Sequence, residues 1–309
     1  MTEGIILLDK PSGLTSFQSL GEVKRRLGTR RVGHAGTLDK FAEGLLVVLA
    51  GRMTRLCAFA ATLDKEYVAV ITLGRGTDTL DPEGAVTEEG PIPDRVLIEA
   101  AIPAFRGTFQ QLPPAYSAVH VGGRRAYEAA RSGETPVLAP RIVSIKELEL
   151  LDFTPPEATL RVVCSKGTYI RALARDLAAS MGTCAHVSRL CRTRIGGFLQ
   201  KDAKRPDQFD PLTDLLSPGR FFDAAPDLKR LTLKETWALR VGNGFPLGES
   251  CFESVPAGNG IFGAFTVNGR LVAMVERQEG VWRYAATFPQ ERPPESRQER
   301  PECRQERPE

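Results

Sequence analysis

Residues 158–181 read ATLRVVCSKGTYIRALARDLAASM, and the period of the pattern changes partway along. From Ala158 to Ser165 apolar and polar residues alternate, as on a half-buried strand. From Tyr169 to Met181 the repeat becomes helical: Ile170, Leu173, Ala174 and Leu177 form one apolar stripe, with Arg171 and Arg175 off it. Upstream, Glu66 to Gly74 alternates in the same way, and Ile142 to Phe153 is a further extended segment. Nearer the start, the apolar run Gly4 to Asp9 reads as a buried strand, and Lys10-Pro11-Ser12-Gly13 as a turn. Leu20, Val23 and Leu27 then recur at helical spacing, in a helix that Thr15 or Ser16 can cap and Gly28 can close. Strands and helices without regular βαβ alternation predict an α+β domain on a mixed or antiparallel sheet, not a doubly wound one.

From about Ala225 the texture changes. Ile261 to Val267 and Arg270 to Glu276 flank Asn268-Gly269, a strong hairpin signal, and Gln278-Glu279-Gly280 turns the chain into Val281 to Phe288. This meander predicts a small β-rich second domain. Past Pro289 the chain repeats Glu-Arg-Pro without large apolar residues, which is the composition of a disordered tail. The expected plan is a domain over 1–224, a second over 225–288 and a tail over 289–309.

A chain of 309 residues can bury enough surface to need no disulfide or metal staple. The formal charge is only +3, but 31 of the 41 basic residues are Arg, whose planar fork suits phosphate and bases. Lys24, Arg25, Arg26, Arg30 and Arg31 cluster as either a solvated face or a phosphate patch. The six cysteines form no Cys-x-x-Cys pair, and Cys184, His186 and Cys191 match no standard ligand spacing, so no metal is expected. No signal peptide precedes the first strand, and the run Leu45 to Ala50 is too short to span a bilayer, so a soluble, cytoplasmic protein is expected.

Gly258-Asn259-Gly260-Ile261-Phe262-Gly263 satisfies Gly-x-Gly-x-x-Gly literally, but strands follow it, not a helix, so hairpin glycines are the better account. No Walker loop, His-Glu-x-x-His or Gly-x-Ser-x-Gly is present, and three histidines leave few bases for a triad. A carboxylate without nucleotide, metal or redox cofactor is the natural candidate for chemistry. Arg31-Val32-Gly33-His34-Ala35-Gly36-Thr37-Leu38-Asp39 is a polar loop ending on such a group, next to the strand-like run Leu45 to Ala50. From spacing alone, Asp39 reads first as a turn residue or helix cap.

This loop resembles the Gly-His-x-Gly-x-Leu-Asp block of the TruB pseudouridine synthases. Four further blocks are similar to that family in order. They are Leu7 to Ser16, Lys65-Glu66-Tyr67 through Asp81, Gln111 to Ala118 continuing through Tyr127 to Arg131, and Cys164 to Arg171 with Leu190-Cys191-Arg192-Thr193. The resemblance spans residues 4 to about 198. It implies an α+β catalytic domain followed by a small PUA-like RNA-binding domain, and an enzyme that turns uridine 55 of the tRNA T arm into pseudouridine. The substrate would be the T stem-loop, no cofactor would be needed, and the chain would act as a monomer without an obligate protein partner. A guide-RNA-dependent relative and a tRNA-binding or folding module without turnover are the alternatives.

Residue by residue, Asp39 matches the nucleophile, Arg171 the arginine that pairs with it, and Tyr67 the tyrosine that stacks on the flipped base. Tyr169 and Leu190 match pocket walls, and His34 a histidine near the flipped nucleotide. Lys10, Arg55 and Arg192 match positions expected at phosphate or in pocket structure. The chain departs from the family where Leu38-Asp39-Lys40-Phe41-Ala42-Glu43-Gly44 replaces Leu-Asp-Pro-x-Ala-Thr-Gly, and where His120 stands at a frequent lysine position. Lys40 is expected to offset the charge that Glu43 brings near Asp39.

Overall fold

The computed structural model describes residues 3–117, 120–121, 124–125 and 138–289. The Tyr127 to Arg131 part of the third block and the tail beyond 289 lie outside the described residues. The described chain clusters into two compact units that divide between Ala225 and Pro226.

The first unit begins with β1 (Gly4–Lys10), α1 (Ser16–Leu27), β2 (Val32–His34), β3 (Glu43–Ala50), α2 (Cys57–Thr62) and β4 (Lys65–Leu73). It continues through β5 (Arg75–Thr77), β6 (Val86–Glu89), α3 (Arg95–Ala101), β7 (Gly107–Gln111), β8 (His120–Val121) and β9 (Arg124–Arg125). β10 (Arg141–Thr154), β11 (Glu157–Cys164), α4 (Ile170–Ser180), β12 (Ala185–Ile195), β13 (Phe198–Leu199) and α5 (Pro218–Ala224) complete it. The central sheet runs β1-β3-β12-β4-β11-β10-β7, with β2 and β13 at its side. Its neighbours are antiparallel except β3 and β12, which run parallel with Arg192 opposite Gly44. The sheet is therefore mixed, one of the two arrangements expected.

α1 starts with a reciprocal capping box, in which Gln18 N donates to Thr15 Oγ1 and Thr15 N to Gln18 Oε1. It ends at Gly28 with φ 63°, a left-handed cap that glycine adopts without a Cβ clash. Its buried Leu20, Val23 and Leu27 pack on Ile6, Leu8, Leu46 and Val48 of β1 and β3. The α4 stripe of Ile170, Leu173, Ala174 and Leu177 packs on Ala69 and Ile71 of β4, Leu160 and Val162 of β11 and Val187 of β12. Each fully buried side chain of this kind contributes roughly 1.5–3 kcal/mol. Together the two clusters hold fixed the strand ends that carry the site.

At Gly44, φ is 100° and a Cβ would stand 2.5 Å from Arg192 O and 2.8 Å from Arg192 N. Gly44→Ala therefore combines a left-handed penalty with overpacking, about 2 kcal/mol or more. A melting temperature lower by roughly 4 °C or more is expected. An unchanged value would mean that the parallel β3–β12 contact contributes little to stability.

The second unit pairs β14 (Lys229–Thr232) in parallel with β15 (Gly260–Phe265), and β15 is followed by β16 (Leu271–Gln278) and β17 (Val281–Thr287) in an antiparallel meander. Gly269, at φ 76°, supplies the turn that the Asn-Gly pair predicts. β14 is the strand that the pattern did not reveal, because four residues are too few to show a period. Gly260 opens β15, so the Gly-x-Gly-x-x-Gly stretch leads into a strand and no dinucleotide loop forms. No helix among the described residues is long and apolar enough to cross a membrane.

Candidate active site

Asp39 lies in the connection between β2 and β3, and the residues around it are anchored almost one by one. Ser16 Oγ accepts from Leu38 N at 2.8 Å and donates to Leu38 O at 3.1 Å. Gly13 N and the Lys10 ammonium both reach Lys40 O, at 2.8 and 3.4 Å, and Ser12 Oγ donates to Phe41 O. From the other side, Arg192 of β12 donates to Leu45 O at 2.8 Å and to Gly36 O at 3.1 Å. The strand ends thus hold the loop, and its carboxylate projects into an open pocket of about 560 Å³. That pocket is also lined by Lys65, Tyr67, Tyr169, Arg171, Leu190 and Arg192.

Arg171 is the centre of the charged network. It is 3% exposed, although the helical stripe alone would place it off the apolar face. Its Nη2 donates to Asp39 Oδ1 at 3.0 Å and to Tyr116 O at 2.9 Å, and its Nη1 to Thr79 O at 2.8 Å and Asp81 Oδ2 at 3.2 Å. Nε lies 2.9 Å from Asp39 Oδ2 without hydrogen-bond alignment, so that contact is Coulombic. The guanidinium is buried because two carboxylates and two carbonyls replace its water. The Asp39 side chain keeps 39% exposure, so it remains open to a substrate from the pocket.

Asp81 is the functional neighbour that the sequence reading did not single out, although it closes the Lys65-to-Asp81 block. Thr79 Oγ1 and Glu83 N donate to its other oxygen, and burial pushes its carboxyl above the ordinary value. Gln111 was also missed. Fully buried, it brackets Tyr169 by donating to its carbonyl and accepting from its N–H, which orients the tyrosine at the start of α4. Neither role has a local signal, because Arg171 lies 90 residues from Asp81 and Tyr169 lies 58 from Gln111.

Tyr67 faces the pocket from β4 at 8% exposure, and burial raises its phenol against the opposing influence of Arg192. Tyr169 and Leu190 line the same space. His34 ends β2 with Nδ1 buried and unpartnered among the described residues, and burial, then Arg192, holds its pKa below the ordinary value. Lys10 is 0% exposed and its ammonium donates to Pro11 O, Leu14 O and Lys40 O, so it clamps the loop as part of the pocket structure. Arg55 lies exposed on the turn Gly51–Leu56, away from the pocket lining.

Lys40 pairs with Glu83 at 3.0 Å and not with Glu43, which opens β3 opposite Cys191 and influences Lys10 and Cys191. Cys184, His186 and Cys191 turn to separate partners, Glu88 O, Arg75 O and Gln200 Oε1. In the basic cluster of α1, Arg25 and Arg26 both bind Glu22.

A carboxylate set beside a buried guanidinium, with a tyrosine at its side, is equipped for nucleophilic or proton-transfer chemistry on a planar, polar substrate. Residues 24–170 match the family model described as TruB family pseudouridylate synthase (N terminal domain). The chain is 40% identical over 291 residues to the tRNA pseudouridine synthase B of Thermobifida fusca (strain YX), covering 91% of this chain and 96% of that protein. It is 41% identical over 280 residues to the protein of the same name from Thermus thermophilus, covering 78% of this chain and 86% of that one. Among solved structures, a chain from a Cbf5-Nop10-Gar1 complex matches with a TM-score of 0.67 and 25% identity, covering 94% of this chain and 84% of that chain. The chain belongs to the TruB family of pseudouridylate synthases.

Proposed function

We propose that this chain isomerises uridine 55 in the T arm of tRNA to pseudouridine, with Asp39 as the nucleophile. The observation that carries this reading is the Arg171 fork, which presents the Asp39 carboxylate to an open pocket of about 560 Å³. A stacked uridine cannot reach that carboxylate, so the nucleotide must swing out of the RNA. Tyr67 then stacks on the base, an interaction worth roughly 1–3 kcal/mol, while Tyr169 and Leu190 form walls and His34 meets the nucleotide. Asp39 attacks and bonds to the base or the ribose, the N1–C1′ bond breaks, the base turns, a C5–C1′ bond replaces it, and the bond to Asp39 breaks to restore the carboxylate. One proton leaves C5 and one arrives at N1, so the reaction consumes no cofactor.

The relatives named tRNA pseudouridine synthase B support tRNA as the substrate. The flipping residues all lie in the first unit, so a T stem-loop suffices. A stem-loop carrying C5-tritiated uridine at position 55 is expected to release tritium with the purified chain alone, in EDTA and without guide RNA. Release from whole tRNA only would move recognition outside the T arm. Release from neither would overturn the reading.

A further inference from the structure

The pocket contains two deeply buried cations that the roles above leave without an anion. Arg192 is 1% exposed and Lys65 6%, and both line the cavity. Arg192 donates to Leu45 O and Gly36 O, and its charge lies close enough to the Tyr67 phenol to influence it. The Lys65 ammonium donates to Ala61 O and Leu63 O at the end of α2, at 2.5 and 2.6 Å, which leaves one of its three N–H groups unassigned. No ion pair joins either cation to a carboxylate among the described residues. Asp64, the chain neighbour of Lys65, turns to Lys146, and Arg171 holds both Asp39 and Asp81.

The three side chains share one face of the sheet. Tyr67 and Arg192 are register partners across β4 and β12, and Lys65 stands two residues before Tyr67 on the same buried side of β4. Buried like charges without a counter-charge are costly, and the strain is visible at Lys65, where burial, then Arg192, lowers the ammonium to about 8. A neutral uridine does not relieve that cost. A base that becomes negative does.

Where Asp39 attacks the ribose, it bonds to C1′ and the electron pair of the N1–C1′ bond stays with the departing base. Until C5 bonds to C1′, uracil is an anion whose charge spreads over its ring nitrogen and carbonyl oxygens. We propose that Lys65 and Arg192 form an anion-stabilising subsite for this detached uracil, distinct from the Asp39–Arg171 pair that acts on it. Bond making from C5 to C1′ uses the pair and expels the Asp39 carboxylate from C1′, the C5 proton leaves to a base in the pocket and then to solvent, N1 takes up a proton, and the neutral product no longer needs the cations. Donors fixed in advance where charge develops stabilise the transition state without reorganising.

The inference rests on the isomerase reading, and the test separates the two. Uracil, neutral at pH 7, and 5-nitrouracil, whose ring is acidic enough to be anionic there, are titrated calorimetrically into the RNA-free full-length chain. The parent is expected to bind 5-nitrouracil about tenfold tighter or more. Lys65→Met is expected to lose that preference to within about twofold, and Lys65→Arg to keep it. At saturating T stem-loop, Lys65→Met should lower the single-turnover rate about 10²-fold while its Kd for RNA stays within a few fold. Equal binding of the two bases by the parent would overturn the subsite, even if Lys65→Met fails to fold. So would a folded Lys65→Met variant that keeps the preference or the rate. A parent that prefers 5-nitrouracil yet makes no pseudouridine would sink the isomerase reading and leave the anion site standing.

Discussion

Asp39→Asn is expected to lower single-turnover pseudouridine formation by about 10⁴-fold or more, the scale on which loss of a covalent catalytic group acts. The amide keeps the shape of the carboxylate and one acceptor for Arg171 Nη2, which now binds Asp39 Oδ1. It has no charge and no nucleophilic oxygen. The clamps on Leu38, Lys40 and Phe41 engage backbone or neighbouring atoms and are untouched, so the loop should keep its path. Binding of the stem-loop is therefore expected to stay within a few fold while tritium release disappears. Turnover near the parent rate would remove Asp39 from the mechanism.

Arg171→Ala should be nearly as severe for catalysis and worse for the fold. It strips the cation from between Asp39 and Asp81 and leaves the carbonyls of Thr79 and Tyr116 without their donor. Removing one partner of a buried ion pair costs about 3–5 kcal/mol. The low end applies here, because Asp39 is half open to water while Asp81 is not. The misplaced carboxylate should cost about 10²-fold or more in rate. Arg171→Lys keeps the charge but cannot span both carboxylates, so it should recover stability more than rate.

Asp81 also gives Arg171→Ala a signature in pH. Burial already raises Asp81 above its ordinary value with Arg171 present. Between the unfolded and folded values the native state binds the extra proton, so stability falls as pH rises through that window. Without Arg171 the window widens upward, and the variant should gain melting temperature relative to the parent as pH is lowered towards it. A constant difference at all pH values would show that Asp81 does not face the vacated site.

Much of the molecule was legible where the signal is local. The β4, β10 and β11 segments and α4 stand within a residue or two of their expected limits, because alternation and the helical stripe arise from which side of each element is buried. The cap at Thr15 and the stop at Gly28 were readable for the same reason, since a cap acts over three residues. The Asp39 loop could be singled out as a block, but its anchoring could not. Lys10 reads on paper as a basic residue for phosphate or for pocket structure. Only the packed turn shows it buried under three carbonyls.

The sequence by itself determined the α+β class, the β-rich second unit, the family and the residue types available to the chemistry. Tertiary structure alone decided which charged side chains are buried and which partner each takes. Periodicity places Arg171 off the apolar stripe of α4, and by that rule it belongs in water. It is buried because Asp39 and Asp81, 132 and 90 residues away, meet it there with their charges. Lys65 falls on the inward side of β4 with no such partner. A side chain's period reports the direction in which it points, whereas the cost of its charge depends on groups brought from distant segments.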